Sequence, residues 1–294
     1  MRAFTTRVLF VVTFSFFFLS CFRSPQIPQS GSLRSSSATM EVPLPTGRAS
    51  ATGSENRENF IEDFWGTSFD KAGLPDSIRE NIITHLMQGP DFVMELLTIL
   101  EGDPYLYALV DKAHSLSQNY APTDLVELTN RDRSYRVTRQ GLLLRRMAAE
   151  SLETMAAAAL REGVTLTGAS AYRSYQYQVE VYDRNVREMG QQAADRESAR
   201  PGHSQHQLGL VLDFYPIDDS FALTPASNWL QKNASRFGWS ISFPDGYEEV
   251  TGYRWESWHY RYLGQELAAF TDKYFNGIQQ YALQFIHAWL EAAI

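Results

Sequence analysis

Ser204-Gln205-His206-Gln207-Leu208-Gly209-Leu210-Val211-Leu212-Asp213 and, some fifty residues further on, Glu256-Ser257-Trp258-His259 are the stretches whose reading decides the fold. Leu208, Leu210 and Leu212 alternate with Gly209, Val211 and Asp213, so a strand over 208–215 turns the leucines to one face and Asp213 to the other. An unpaired carboxylate among apolar residues costs several kcal/mol, so Asp213 calls for a cation, either a metal ion or an arginine. His206 and His259 add two imidazoles. Two His and one Asp leave the fourth position of a tetrahedral Zn²⁺ to water, and a non-ligand Glu256 can take that water's proton during attack on a carbonyl. A structural zinc site wants a fourth protein ligand, usually Cys, and the one Cys of the chain is the distant Cys21. The set therefore points to a catalytic zinc site. Glu256 and His259 are three residues apart, which an ideal strand places on opposite faces. Either a turn or bulge lies between them, or Glu256 is a surface carboxylate.

Working outward, Ser170-Ala171-Tyr172-Arg173-Ser174-Tyr175 with Gln178 precedes the first stretch, and the first stretch itself begins within Ala199-Arg200-Pro201-Gly202-His203. The second extends over Gly252-Tyr253-Arg254-Trp255 and Tyr260-Arg261-Tyr262-Leu263-Gly264. In order and spacing these blocks resemble the D-alanyl-D-alanine carboxypeptidase family of VanY type, whose motifs S-G-Y-R-S-x-x-x-Q, S-x-H-x-x-G-x-A-x-D and E-x-W-H-Y-R-Y-V-G are matched over roughly residues 104–290. Ala171 replaces a usual Gly, Gln205 a Glu, Val211 an Ala, Ser257 a Pro and Leu263 a Val; none of these removes a metal ligand or the base.

The resemblance implies an α+β fold, a small antiparallel sheet with flanking helices holding a single catalytic Zn²⁺ on His206, Asp213 and His259. Glu256 is then the general base, and Arg173 a fixed positive donor for the oxyanion that develops on the scissile carbonyl. Ser204 and Gln178 belong to the substrate site, where a terminal carboxylate needs donors. Tyr172, Trp255 and Trp258 either wall that pocket or fill the core, and His203, His85, His114 and His287 are read as structural. The implied activity is a zinc-dependent carboxypeptidase removing the terminal D-alanine from peptidoglycan stem peptides. Both D,D and L,D activities occur behind these motifs, with D,D slightly favoured. The alternatives are an endopeptidase of the same fold and a non-catalytic wall-binding lipoprotein.

The 294 residues, 44% hydrophobic and 13% aromatic, suffice for one large domain or two small ones. A net charge of −8 without a Lys/Arg run excludes a nucleic-acid surface. Arg2 and Arg7 precede the apolar run Val8 to Leu19, which is shorter than a membrane span of ~20 residues and reads as a secretory h-region. Phe18-Leu19-Ser20-Cys21 resembles a bacterial lipobox with Phe18 where Leu is usual. Residues 1–21 are thus a signal peptide, ending either in a lipid anchor on Cys21 or in an incidental cysteine, and the protein is expected in the bacterial cell envelope on a membrane.

Residues 22–57 lack apolar periodicity and read as a flexible tether. Residues 58–103 read as short amphipathic helices on Phe60, Phe64, Ile78, Ile82, Ile83, Leu86, Val93, Leu96, Leu97 and Leu100. The zinc carboxypeptidase domain takes residues 104–294. Its expected elements are a strand entering a short helix over 105–116, a helix over 142–161 stopped by Gly163, a strand over 164–170, helices over 177–189 and 226–237, and a last strand over 255–262. Phe275, Ile278, Tyr281, Phe285 and Trp289 are spaced as a helix that covers the catalytic core.

Overall fold

Two small sheets organise the chain in a computed structural model, which describes residues 51–292. The signal peptide, Cys21 and most of the tether lie outside the described residues. A ribbon pairs β1 (Leu125–Glu127) with β3 (Leu143–Arg145), and a five-stranded sheet has the order β2 (Arg136–Val137), β4 (Thr167–Ser170), β5 (Val211–Phe214), β7 (His259–Tyr262), β6 (Trp239–Ile241). The larger sheet is antiparallel except at its edge, where the two-residue β2 runs parallel to β4.

The leucine alternation is realised in β5: Leu212 and Phe214 enter the hydrophobic core and Asp213 faces the other way. That core is shared with α4 (Arg146–Arg161), which buries Leu152, Met155, Ala156 and Ala159 at helical spacing, and with Trp239, Trp258 and Tyr260. Gly163, at φ +77°, stops α4 as expected. Its N–H donates to the Leu160 carbonyl and that of Val164 to Ala159, a pairing that satisfies the last-turn carbonyls and needs a left-handed residue at this position.

Three expected elements come out differently. The apolar run from Leu142 is not helical at its start: Leu143–Arg145 pairs with β1, and the helix begins at Arg146. Residues 105–116 form neither strand nor helix. The guanidinium of Arg261, wholly buried in β7, donates to the carbonyls of Tyr105, Leu106 and Ala108, so that loop is held by a side chain rather than by a ladder. The last strand is confined to His259–Tyr262, and its neighbour β6 had no alternation to announce it. The two helices nearest the site, α5 (Tyr175–Met189) and α6 (Gln191–Glu197), meet at Gly190, and α7 (Pro225–Asn233) and the short α8 (Glu248–Thr251) follow β5 and β6.

The amino-terminal helices are α1 (Ala51–Lys71), α2 (Asp76–Gln88) and α3 (Asp91–Leu100), so residues 51–57, expected as tether, are helical. In α1 the buried face is Ile61, Trp65 and Phe69, while Phe60 and Phe64 stack on each other outside it. Trp65 packs edge-on to Phe92 of α3 and face-on to Trp289 of α10 (Gln279–Ala292), and Phe285 of α10 touches both Trp65 and Phe92. Phe92 also meets Phe270 and Tyr274 of α9 (Gln265–Tyr274). The helical segment and the carboxy-terminal helices thus share one aromatic core. No helix among the described residues is long and apolar enough to cross a membrane.

Candidate metal and catalytic site

Asp213 and His259 are direct partners across the β5–β7 ladder, which places their side chains on one face of the sheet. His206 reaches them from a 3-10 turn, Gln205–Leu208, that ends at Gly209. Gly209 sits at φ +69°, and a side chain there would press on Leu125, Arg145 and Pro122. The chain can therefore turn from His206 into β5 only with glycine at this point.

The three side chains are almost fully buried. His206 Nε2 lies 3.1 Å from one Asp213 oxygen and His259 Nδ1 3.1 Å from the other. The other ring nitrogen of His206, Nδ1, is 2.7 Å from the Ala171 carbonyl, which orients the ring and leaves Nε2 as the free donor atom. One ligand atom from each of His206, Asp213 and His259 can be chosen so that all lie within 4.8 Å of one another. Glu256 adds its Oε2 at 3.2 Å from His259 Nδ1. A turn at Ser257–Trp258, closed by the His259 N–H donating to the Glu256 carbonyl, brings residue 256 to the same side as residue 259. The turn expected as one of the alternatives is therefore present.

The electrostatics suit a cation. Burial, then the charge of Arg173, pushes the His206 imidazole down to about 4, so it is neutral and can ligate. Burial pushes the Asp213 carboxyl up, but the two imidazoles together outweigh it and hold it well below the ordinary carboxylate range. Burial pulls His259 down, while Asp213 and Glu256 pull it up more strongly, so positive charge is favoured where those two carboxylates converge. His206 Nε2 and Asp213 Oδ1 are buried without a hydrogen bond. Buried lone-pair atoms left without a hydrogen bond, in a cluster within 4.8 Å, are what a metal ion would satisfy, and two His with one Asp suit Zn²⁺ with a position left for water.

Arg173 follows β4, its N–H donating to the His206 carbonyl. Burial lowers its pKa, and Asp213 and Glu256 resist that by favouring the cation. With Ser204, it lines a cleft of about 450 Å³ that reaches His206, Asp213, Glu256 and His259. Gln178 does not line this cleft. Its side-chain N–H donates to the carbonyl of Ala199, which does line the cleft, at 2.6 Å, so it braces that part of the wall. Of the three aromatics considered, Trp258 lines the cleft, and Tyr172 and Trp255 do not. His203 also lines it, with Nδ1 2.8 Å from the Asp111 carbonyl.

Residues not singled out from the sequence complete the walls: Arg139, Arg184, Glu197, Phe243, Tyr253 and Arg254 among them. Phe243 packs against the His259 ring and Tyr253 against Phe243. Arg254 lies over Trp258 and pairs with Glu197 of α6 at 2.5 Å and with Asp219 at 2.7 Å. Arg196 of α6 pairs in turn with Glu248 of α8. Tyr253 and Arg254 stand inside the Gly252–Gly264 block, so their proximity to Glu256 was the available signal; the others come from loops and helix faces that only the fold brings together.

A profile described as VanY D-alanyl-D-alanine carboxypeptidase matches residues 141–265. A putative carboxypeptidase, YodJ, of Bacillus subtilis is 35% identical over 178 residues, 58% of this chain, and the match spans 65% of that relative's own length. The solved structure of the LdcB LD-carboxypeptidase, described with its basis of peptidoglycan recognition, superposes with a TM-score of 0.52 at 33% identity, covering 59% of this chain and 86% of that one. A mutant of the vancomycin-resistance D,D-pentapeptidase VanY, in complex with Zn(II), gives a TM-score of 0.50 at 30% identity, covering 61% and 98%.

Proposed function

Because the chain belongs to the VanY-type D-alanyl-D-alanine carboxypeptidase family, we propose that it is a zinc-dependent carboxypeptidase that removes the terminal D-alanine from peptidoglycan stem peptides. The observation that carries this reading is the buried His206–Asp213–His259 cluster with the Glu256 carboxylate at its edge. The D,D bond of pentapeptides is the proposed substrate. The L,D bond of tetrapeptides is the second reading, favoured by the likeness to LdcB.

His206, Asp213 and His259 would hold the zinc, which when bound supplies Lewis-acid polarisation of water and of the scissile carbonyl. Glu256 accepts the proton of the attacking water and returns it to the departing amine, a role its placement beside His259 supports. Arg173 offers a fixed positive charge to the oxyanion, and Ser204 a hydroxyl within the same cleft. The Ala171 carbonyl keeps the His206 ring from rotating.

The test is to incubate the zinc-loaded protein with defined penta- and tetrapeptide muropeptides, with and without an amidated terminal carboxylate, and to read products by mass. Release of D-alanine alone, lost on amidation, fits an exopeptidase, because each charge-assisted hydrogen bond removed is worth ~1.5 to ~3 kcal/mol. Fragments larger than one residue, or indifference to amidation, would reject it in favour of an endopeptidase. We further propose, on the lipobox resemblance alone, export and anchoring to a membrane through Cys21. An unacylated mature terminus downstream of Cys21 would rule out the anchor.

A further inference from the structure

Arg139 and Arg184 line the same cleft of about 450 Å³ as Arg173, His206 and His259, and the catalytic roles leave both unused. Arg139 follows β2 and Arg184 lies on α5. The other charged groups of the lining are engaged: Asp213 and Glu256 face the histidines, Glu197 pairs with Arg254, and Arg173 is held between the fields of Asp213 and Glu256. Arg139 and Arg184 are exposed, and neither is ion-paired with any described residue. Glu180 and Glu188 stand one turn to either side of Arg184 on α5 without closing on it. Arg184 is also near enough to Arg173 for the two cations to repel. Two exposed positive charges at an active-site cleft, neither closed into an ion pair, draw anions toward it.

We propose that Arg139 and Arg184 form a specificity subsite for a second carboxylate of the peptide substrate, upstream of the bond that is cut and separate from the terminal carboxylate. This rests on the carboxypeptidase reading. A guanidinium keeps its charge at any physiological pH and binds a planar carboxylate through two parallel N–H donors, whereas a carboxamide offers one acceptor and no charge. The substrate class is therefore a stem peptide that is acidic, not amidated, ahead of its terminal residues. Two carboxylates share this chemistry, the α-carboxylate of a γ-linked glutamate and the side-chain carboxylate of a diamino dicarboxylic acid.

The experiment uses the zinc-loaded protein and four synthetic stem peptides with a free terminal carboxylate: both upstream carboxylates free, each one amidated singly, and both amidated. Wild type should favour the acidic peptide over the doubly amidated one by about tenfold or more in kcat/KM, the worth of one charge-assisted hydrogen bond. The singly amidated peptides tell which carboxylate is bound. In Arg139→Gln/Arg184→Gln the preference should fall toward one, and Arg139→Lys/Arg184→Lys should restore part of it. Equal kcat/KM for all four peptides in wild type, or an unchanged preference in the double glutamine variant, overturns the proposal and leaves the carboxypeptidase reading intact. Calorimetric titration of the four peptides into Glu256→Gln protein reads the same discrimination without turnover. If no peptide is cleaved by wild type, the carboxypeptidase reading falls, while tighter binding of the acidic peptides still supports the subsite; equal or absent binding overturns the subsite as well.

Discussion

The Glu256 carboxylate stands 3.2 Å from Nδ1 of His259 with only Ser257 and Trp258 between them. In an extended strand the two side chains would point to opposite faces. Here the Glu256 N–H donates to the Phe243 carbonyl, the chain turns, and the ladder of β7 begins only at His259. The proposed general base and one of the proposed metal ligands are thus placed by one short backbone feature.

Glu256→Gln keeps the size and the backbone hydrogen bonds but removes the proton acceptor. Its kcat should fall by ~10² to ~10⁴-fold, the usual range for loss of general-base catalysis. Zinc content by mass spectrometry should stay near that of wild type. Full turnover with full metal would take Glu256 out of the reaction.

His206→Ala should lose metal, because Nε2 of His206 is one of three donors converging on the site and the remaining pair is too few for a tight zinc complex. The measurement is metal per chain after dialysis against a weak chelator. An unchanged stoichiometry would show that the ion sits elsewhere.

Trp65 joins α1 to α3 and α10 through rings on both sides, and only 4% of its surface is exposed. Trp65→Ala should destabilise the protein by about 3–5 kcal/mol, as for other large aromatic truncations in packed cores. Denaturant unfolding should show one cooperative transition moved to lower concentration. An early separate transition of the amino-terminal helices would show instead that they fold as an independent arm.

Burial pushes the Asp111 carboxyl up, but the N–H groups of Ala113 and His114 and the His114 ring together bring it below its ordinary value. Gln280 of α10 binds its other oxygen at 3.0 Å. A carboxyl depressed in the folded state contributes stability that is present above its unfolded pKa of about 3.9 and is lost as pH falls through the lower folded value. Asp111→Asn should therefore lower the melting temperature at pH 7 and narrow the gap to wild type as pH drops below about 4. Parallel melting curves across that range would contradict the assignment.

The site was more legible than the fold around it. Asp213 announced itself because β5 is buried on both faces, so a charged residue at an alternating position had to have a partner. Glu256 was ambiguous because period-two reasoning assumes a regular strand, and the turn at Ser257–Trp258 breaks it. Leu143–Arg145 misled because a run of apolar residues fits both periods; pairing with β1, a tertiary event, decides for the strand. Arg261 explains why residues 105–116 look like a strand without being one: their carbonyls are satisfied by a guanidinium contributed from far along the chain. Phe60 and Phe64 share the helical period of Ile61, Trp65 and Phe69, and only the placement of α10 chooses between the two faces.

Asp213 and His259 face each other across the central β5–β7 ladder, whereas Arg254 and Glu197, which line the cleft, belong to a loop and a short helix joined by a half-buried ion pair. The two parts answer to different forces. Hydrogen bonds of a buried ladder are insensitive to ionic strength, while an ion pair that solvent still reaches weakens in part as salt screens it. Mutation can therefore remodel the walls, and with them what the cleft admits, without moving the His206–Asp213–His259 cluster, so that the rim is free to drift while the arrangement beneath it stays in place.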